Sequence, residues 1–239
     1  MKGKMQELKR ADPLYEQIYR YLEEGILKGQ VTIGERLIDT KVAKDFGVSR
    51  SPVREAFRRL EKDGLLINNE GIITVFTPSL KDVIELYQVR IGLEASAAYW
   101  ATKYITKHEL VELHQILEQT QLAIEQKNME DVILLNTRFH DSIVTYSHNS
   151  RLKTMMHNIQ TLIRLCRNTI IKQYNRSDSF LLEHYEIYNA MKKKDSELAT
   201  EKMKQHIHRD MKYFEKFYQN EKTKHTTNFK GDLRNEYRN

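Results

Sequence analysis

The sequence predicts a mainly α protein: an N-terminal winged helix-turn-helix (α with a small β wing), then an all-α antiparallel bundle of six helices. Three observations predict it. Only 9 glycines and 3 prolines interrupt 239 residues, and 40% of the residues are hydrophobic, enough for a sizeable core. Strand signals are confined to one short stretch, residues 65–76. From Ser79 to residue 218, six helical periods follow one another across short polar breaks, the pattern of antiparallel neighbours.

The first part is read element by element. Residues 1–11 are polar, and a mobile N-terminus is expected there. Residues 12–77 form the winged helix-turn-helix. Asp12 and Pro13 suit the cap and first position of a helix, with a stripe at Leu14, Ile18, Tyr21, Leu22 and Ile26 up to about Lys28. Gly29 ends it, and Val31–Leu37 reads as a connecting loop. Asp39 or Thr40 then caps a short helix with an apolar edge at Val42, Ala43 and Phe46. Gly47 stops that helix, because glycine takes the left-handed conformation a sharp helix end needs.

Ser51 is read as the cap of the next helix, and Pro52 as its first position. Val53, Phe57 and Leu60 face inward at helical spacing. Arg54, Arg58 and Arg59 lie on the opposite face, with Arg50 just before it. Residues 64–67, a turn cluster Asn68-Asn69-Glu70-Gly71, and the run Ile72–Phe76 make two strands of a wing.

The second part is expected over residues 78–218, with helices near 79–103, 106–127, 129–147, 150–174, 178–193 and 195–218. Thr77-Pro78-Ser79 marks the boundary, and Ser79 suits an N-cap. Residues 219–239 are polar without periodicity, and a disordered tail is expected. Asn136 and His140 stand four apart on a helix face shared with Val132, Ile133 and Ile143. His184 lies on the inward stripe of Leu181 and Tyr188, and His206 on that of Met203 and Tyr213. Inward histidines on facing helices are how bundles build metal sites, although a lone one more often serves as a hydrogen-bonded core residue. The imidazole set suits a divalent transition metal ion, zinc or nickel ahead of iron or copper.

Bulk properties exclude several classes. The single cysteine, Cys166, rules out an intramolecular disulfide and suits a reducing cytoplasm. The N-terminus MKGKMQELKR shows no apolar signal region, and no run of about 18 apolar residues predicts a membrane span. The net charge is +6, compatible with nucleic-acid binding. Residues 1–77, 78–218 and 219–239 each carry two excess positive charges, so bulk charge does not locate a site. The local cluster Arg50, Arg54, Arg58 and Arg59 does.

The run GVSRSPVREAFRRLEKDGLL, preceded by IGERL at Ile33–Leu37, resembles the winged-helix domain of the GntR family of bacterial transcription regulators, from Leu14 to about Pro78. Residues 79–218 resemble the all-helical FCD-type effector domain of its FadR-like branch. The matching pieces are Leu86–Glu94, Leu135–Ile143, Glu183–Met191 and Met203–Met211. The resemblance implies DNA contacts at Thr40, Lys41, Ser49, Arg50, Ser51, Arg54 and Gly71. It also implies metal ligands at Asn136, His140, His184 and His206, with asparagine where aspartate is commoner, and an effector-pocket arginine at Arg90. An ion pair of Arg90 with Glu94, at i+4, is the plainer reading of that residue.

The function so implied is a cytoplasmic homodimeric regulator, a repressor more often than an activator. It binds a pseudo-palindromic operator on double-stranded DNA and answers to a small organic acid. Neutral ligands would leave a divalent ion and Arg90 with three positive charges, which calls for an anion. Two alternatives stand beside this: a metal-dependent hydrolase using the three histidines, and an effector-independent structural DNA-binding protein. Spacing alone places no acid or base beside the histidines, which counts against the hydrolase.

Overall fold

A computed structural model describes residues 12–174 and 177–235, without the side chains of 169–174, 177–178, 217 and 220–235. The expected mobile N-terminus, residues 1–11, lies outside them. The chain divides after Thr77 into two compact units.

In the first unit the order is α1 (Leu14–Lys28), β1 (Arg36–Leu37), α2 (Asp39–Phe46), α3 (Arg50–Lys62), β2 (Leu66–Asn69) and β3 (Ile72–Val75). Helix α1 packs on α3 through Ile18, Leu22 and Ile26 against Val53, Phe57 and Leu60, all buried. Gly29 (φ 76°) and Gly47 (φ 65°) end α1 and α2 in the left-handed region. Tyr21 departs from its expected inward place. It is 61% exposed, and its ring meets Phe46 edge-on at 5.1 Å.

The connection expected over Val31–Leu37 ends in a strand. β1 pairs antiparallel with β3, giving a three-stranded sheet in the order β1-β3-β2. The reason lies in β3, whose second edge needs partners: Val75 N–H donates to the Glu35 carbonyl at 2.9 Å, and Gly34 N–H donates to that of Val75 at 3.1 Å. The wing turns at Glu70 (φ 53°) and Gly71 (φ 86°), two successive left-handed residues, as a two-residue hairpin requires.

Helix starts in this unit differ by one or two residues from the sequence reading. Pro13, Ile38 and Ser49 occupy the cap positions of α1, α2 and α3, none with a side-chain cap bond. Asp39 is thus the first residue of α2, and its carboxylate is engaged elsewhere.

The second unit is α4 (Leu80–Tyr104), α5 (Lys107–Glu125), α6 (Met129–Tyr146), α7 (Ser150–Tyr174), α8 (Ser177–Lys192) and α9 (Ser196–Asn235). Ser79 with Asp82 and Thr106 with Glu109 form reciprocal capping boxes on α4 and α5. Helix α4 runs along α9 and α6, α5 lies against α6 and α8, and α8 lies against α9. Their shared core includes Tyr87, Leu113, Leu117, Phe139, Ile143, Ile163, Phe180 and Met203. In place of a structureless segment from residue 219, α9 continues through Asn235. Extending an anchored helix needs no new nucleus, and Glu221, Lys222 and Lys224 are good helix formers. Among the described residues no helix is long and apolar enough to cross a membrane.

Candidate nucleic-acid interface and metal centre

The first unit presents Thr40 and Lys41 at the start of α2, Ser49, Arg50, Ser51 and Arg54 at the start of α3, and Gly71 on the wing; all are exposed. Buried Val53, Ala56, Phe57 and Leu60 fix the rotation of α3 and so turn its arginine face outward. Asp39 joins the two helix starts. Its Oδ2 accepts from Arg54 Nε at 2.7 Å and from Arg50 Nε and Nη2 at 3.2 and 2.9 Å. Hydrogen bonds from Arg54 and then Arg50 hold its carboxyl below the usual carboxylate range. The other two arginines serve the domain itself. Arg58 pairs with Glu55 at 3.2 Å, and Arg59 lies 4.4 Å over the Tyr19 ring.

In the second unit, α6, α8 and α9 bring His140, His184 and His206 together, all buried, with ligand atoms within 4.8 Å of one another. His206 Nε2 stands 3.3 Å from both His140 Nε2 and His184 Nε2. The Phe139 ring stacks on His184 at 3.9 Å, fixing its plane. Asn136 is buried one turn before His140 on α6. Arg90 takes up the plainer reading, the ion pair with Glu94. Its Nε donates to Glu94 at 2.5 Å and its Nη1 to Asp210 at 3.1 Å, while Nη2 lies 3.5 Å from His140 Nε2.

The carboxylates decide the chemistry. Glu94 Oε2 is 2.5 Å from His140 Nδ1, and Glu183 Oε2 is 2.7 Å from His206 Nδ1. A carboxylate only accepts, so each Nδ1 carries the proton. Burial pushes His140 well below its ordinary pKa, against the pull of Glu94, so that ring is neutral. Burial would raise Glu94, but Arg90, His140 and Arg167 overcome it and hold the carboxyl well below the usual range. The neutral His140 ring, with its proton on Nδ1, then turns its Nε2 lone pair toward His206 Nε2 at 3.3 Å. At metal–nitrogen bonds of about 2.0–2.1 Å, two ligands on a tetrahedral ion stand about 3.3–3.4 Å apart. The donor set therefore fits a divalent ion, with the carboxylates orienting the imidazoles from behind.

Two expectations are corrected here. Acids do stand beside the histidines: Glu94, Glu183 and Asp210, the last 3.7 Å from His206 Nε2. The charge is also not left uncompensated. Three buried carboxylates (Glu94, Glu183, Asp210) face two buried guanidinium groups, Arg90 and Arg167. Glu183 also accepts from the half-exposed Arg209 at 3.2 Å. Arg167 was missed altogether. It is buried, its Nη2 lies 3.8 Å from Glu94, and its Nε and Nη1 have no hydrogen-bond partner among the described residues. Burial lowers it to about 10. The sequence carried signals for some of these: Glu183 directly precedes His184, and Asp210 follows His206 by one helical turn.

Comparison with known proteins matches this arrangement at both ends. The family "Bacterial regulatory proteins, gntR family" matches residues 14–75, and the "FCD domain" family matches residues 85–209. The chain belongs to the GntR family, in its FCD-domain branch. It is 37% identical over 209 residues to YdhC, an HTH-type transcriptional regulator of Bacillus subtilis, covering 87% of this chain and 93% of that one. It is 28% identical over 202 residues to the HTH-type transcriptional repressor RspR of Escherichia coli, covering 84% and 89%. The solved structure of E. coli McbR/YncC shares the fold, with a TM-score of 0.73 at 24% identity over 87% of this chain and 100% of that one. This GntR protein is thus a DNA-binding transcription regulator, and the metallohydrolase alternative falls.

Proposed function

We propose that this regulator is a cytoplasmic homodimeric repressor whose hold on a pseudo-palindromic operator is set by a small carboxylate. Arg50 and Arg54 read base edges, Ser49 and Ser51 support them, Thr40 and Lys41 touch phosphate, and Gly71 lets the wing approach the minor groove. His140, His184 and His206 hold a divalent zinc or nickel ion, with Asn136 as a further oxygen donor and Arg90 facing the effector. One winged helix covers little DNA, so a two-fold dimer on a palindrome supplies the affinity. Repression is the role that the names of RspR and the Bacillus gluconate operon repressors give those relatives.

The observation that carries the effector half is the convergence of three buried imidazoles, with His206 Nε2 3.3 Å from the Nε2 of both His140 and His184. A divalent cation would take those three nitrogens as ligands. With the ion seated, the buried cluster passes, among the described residues, from one excess negative charge to one excess positive charge, and Arg167 Nε and Nη1 have no hydrogen-bond partner there. Both favour an anion. Helix α9 carries His206 and Asp210, and its Tyr218 hydroxyl donates to the carbonyl of Pro78, directly after the wing sequence. Binding at the histidines and the chain leading to the DNA-binding unit thus share one helix.

The test is calorimetry with small hydroxy and sugar acids on metal-loaded and metal-stripped protein, beside metal analysis. Binding that needs metal, with about one ion per chain, supports the reading. An acid that binds stripped protein equally well sinks the metal-linked effector and leaves the regulator standing.

A further inference from the structure

We infer that Asp39 is a specificity-determining residue of the DNA interface: one carboxylate oxygen locks Arg50 and Arg54 into a fixed pair and subtracts one of their two charges. The inference rests on the assignment of those two arginines to base readout.

The geometry is unusual for a helix start. An aspartate in the first turn ordinarily serves the backbone N–H groups there. Among the described residues, the Asp39 carboxylate accepts from arginines and from no backbone N–H of that turn. Its Oδ2 instead takes three N–H donors from two guanidinium groups, at 2.7, 2.9 and 3.2 Å. The carboxylate side chain is only 17% exposed, whereas Arg50 and Arg54 are 52% and 56% exposed. The arginines therefore stay presented to a ligand while their inner edges are tied.

The consequence differs for each arginine. Arg54 is tied through Nε alone, which leaves both of its Nη groups to meet a guanine end-on. Arg50 is tied side-on through Nε and Nη2, which leaves Nη1 outward. A loose arginine must give up its rotamer freedom on binding; a clamped one has done so already. A loose arginine also reaches any phosphate within range, which is sequence-independent affinity. Asp39 suppresses that second use. It raises discrimination and lowers non-specific affinity together. A carboxylate serving only to join α2 to α3 would alter stability and leave the ratio of the two affinities alone.

The experiment uses the full chain and two duplexes: one selected by the wild-type protein from a random pool, and an unselected one of equal length. Both are titrated across a salt series with wild type, Asp39→Asn, Asp39→Glu, Arg50→Ala and Arg54→Ala. Asp39→Asn is expected to bind the unselected duplex more tightly, with a salt slope steeper by about one per chain. Its preference for the selected duplex falls about tenfold, the worth of one arginine–guanine pair. Asp39→Glu restores part of that preference. Thermal melting confirms that each variant folds. If the arginine variants lose preference but Asp39→Asn keeps the wild-type ratio and slope, this inference alone is overturned. Equal weakening on both duplexes reduces Asp39 to a structural link and overturns it as well. If no variant loses preference, base readout by these arginines fails and this inference fails with it.

Discussion

Replacing Glu94 by Gln keeps the volume of a buried side chain and removes its charge. Glu94 is 1% exposed, sits 2.5 Å from both Arg90 Nε and His140 Nδ1, and lies 3.8 Å from Arg167 Nη2. Removing one partner of a buried ion pair costs about 3–5 kcal/mol. Asp210 still holds Arg90 Nη1 at 3.1 Å, so the lower end, about 3 kcal/mol, is expected. For a unit of this size that lowers the melting temperature by about 6–12 °C. The assay is scanning calorimetry of the metal-stripped full chain, following the transition of the helical unit.

The pH dependence supplies a second reading of the same group. Glu94 has a folded pKa well below its unfolded value, so the unfolded chain binds more protons in the window between them, and stability rises with pH there. Its contribution is present above about 4.3 and is lost as the pH falls below that. The depressed His140 adds a loss that begins below about 6.5. Glu94→Gln abolishes the lower window. A Gln variant that melts within 2 °C of wild type and keeps the same acid profile would falsify the assignment of Glu94 as the charge that holds this cluster together.

Three further outcomes are expected. Ser79→Ala removes a reciprocal cap in which Ser79 Oγ accepts from Asp82 N–H and Asp82 Oδ2 accepts from Ser79 N–H, at 3.2 and 2.8 Å; denaturant unfolding should show a loss of about 1 kcal/mol in the helical unit. Phe139→Ala empties a fully buried site stacked on His184 and should cost about 3–5 kcal/mol, whereas Phe139→Leu should cost less than half of that, both read by the same unfolding experiment. Sedimentation at micromolar concentration is expected to give a dimer, free and on a selected duplex, and a monomer in both states would remove the palindrome argument.

Periodicity in the sequence reported faces, and it did so well. The inward stripes placed His140, His184 and His206 toward one interior, and Gly29 and Gly47 marked helix ends by the left-handed conformation that glycine takes without strain. What periodicity lacks is the partner across the bundle. Glu94 and His140 are 46 residues apart and meet only because α4 lies along α6. Glu94 behind His140 was therefore invisible to spacing, and the charge expected of the site was too positive. β1 escaped notice for a different reason: two residues are too short to show alternation, and only the unsatisfied edge of β3 calls for them. Asp39 was read as a cap because acids at helix starts usually are. Two arginines one helical turn apart on the next helix outcompete the backbone for it.

The corrected charge count sharpens the case for a small effector. Without an ion, the buried cluster among the described residues carries one more carboxylate than guanidinium group, which opposes entry of an anion. A divalent ion on three neutral imidazoles reverses the sign by two units, and in a buried site such a reversal is felt strongly. The resulting excess is a single positive charge, which one carboxylate balances. A dicarboxylate would overshoot unless its second group reached solvent or the half-exposed Arg209, whose Nη1 already donates to Glu183 at 3.2 Å. On the proposed metal-linked reading, these charges favour a monoanion that enters with the metal. On that reading Arg167, whose Nε and Nη1 have no hydrogen-bond partner among the described residues and whose Nη2 lies 3.8 Å from Glu94, would receive the carboxylate beside Arg90.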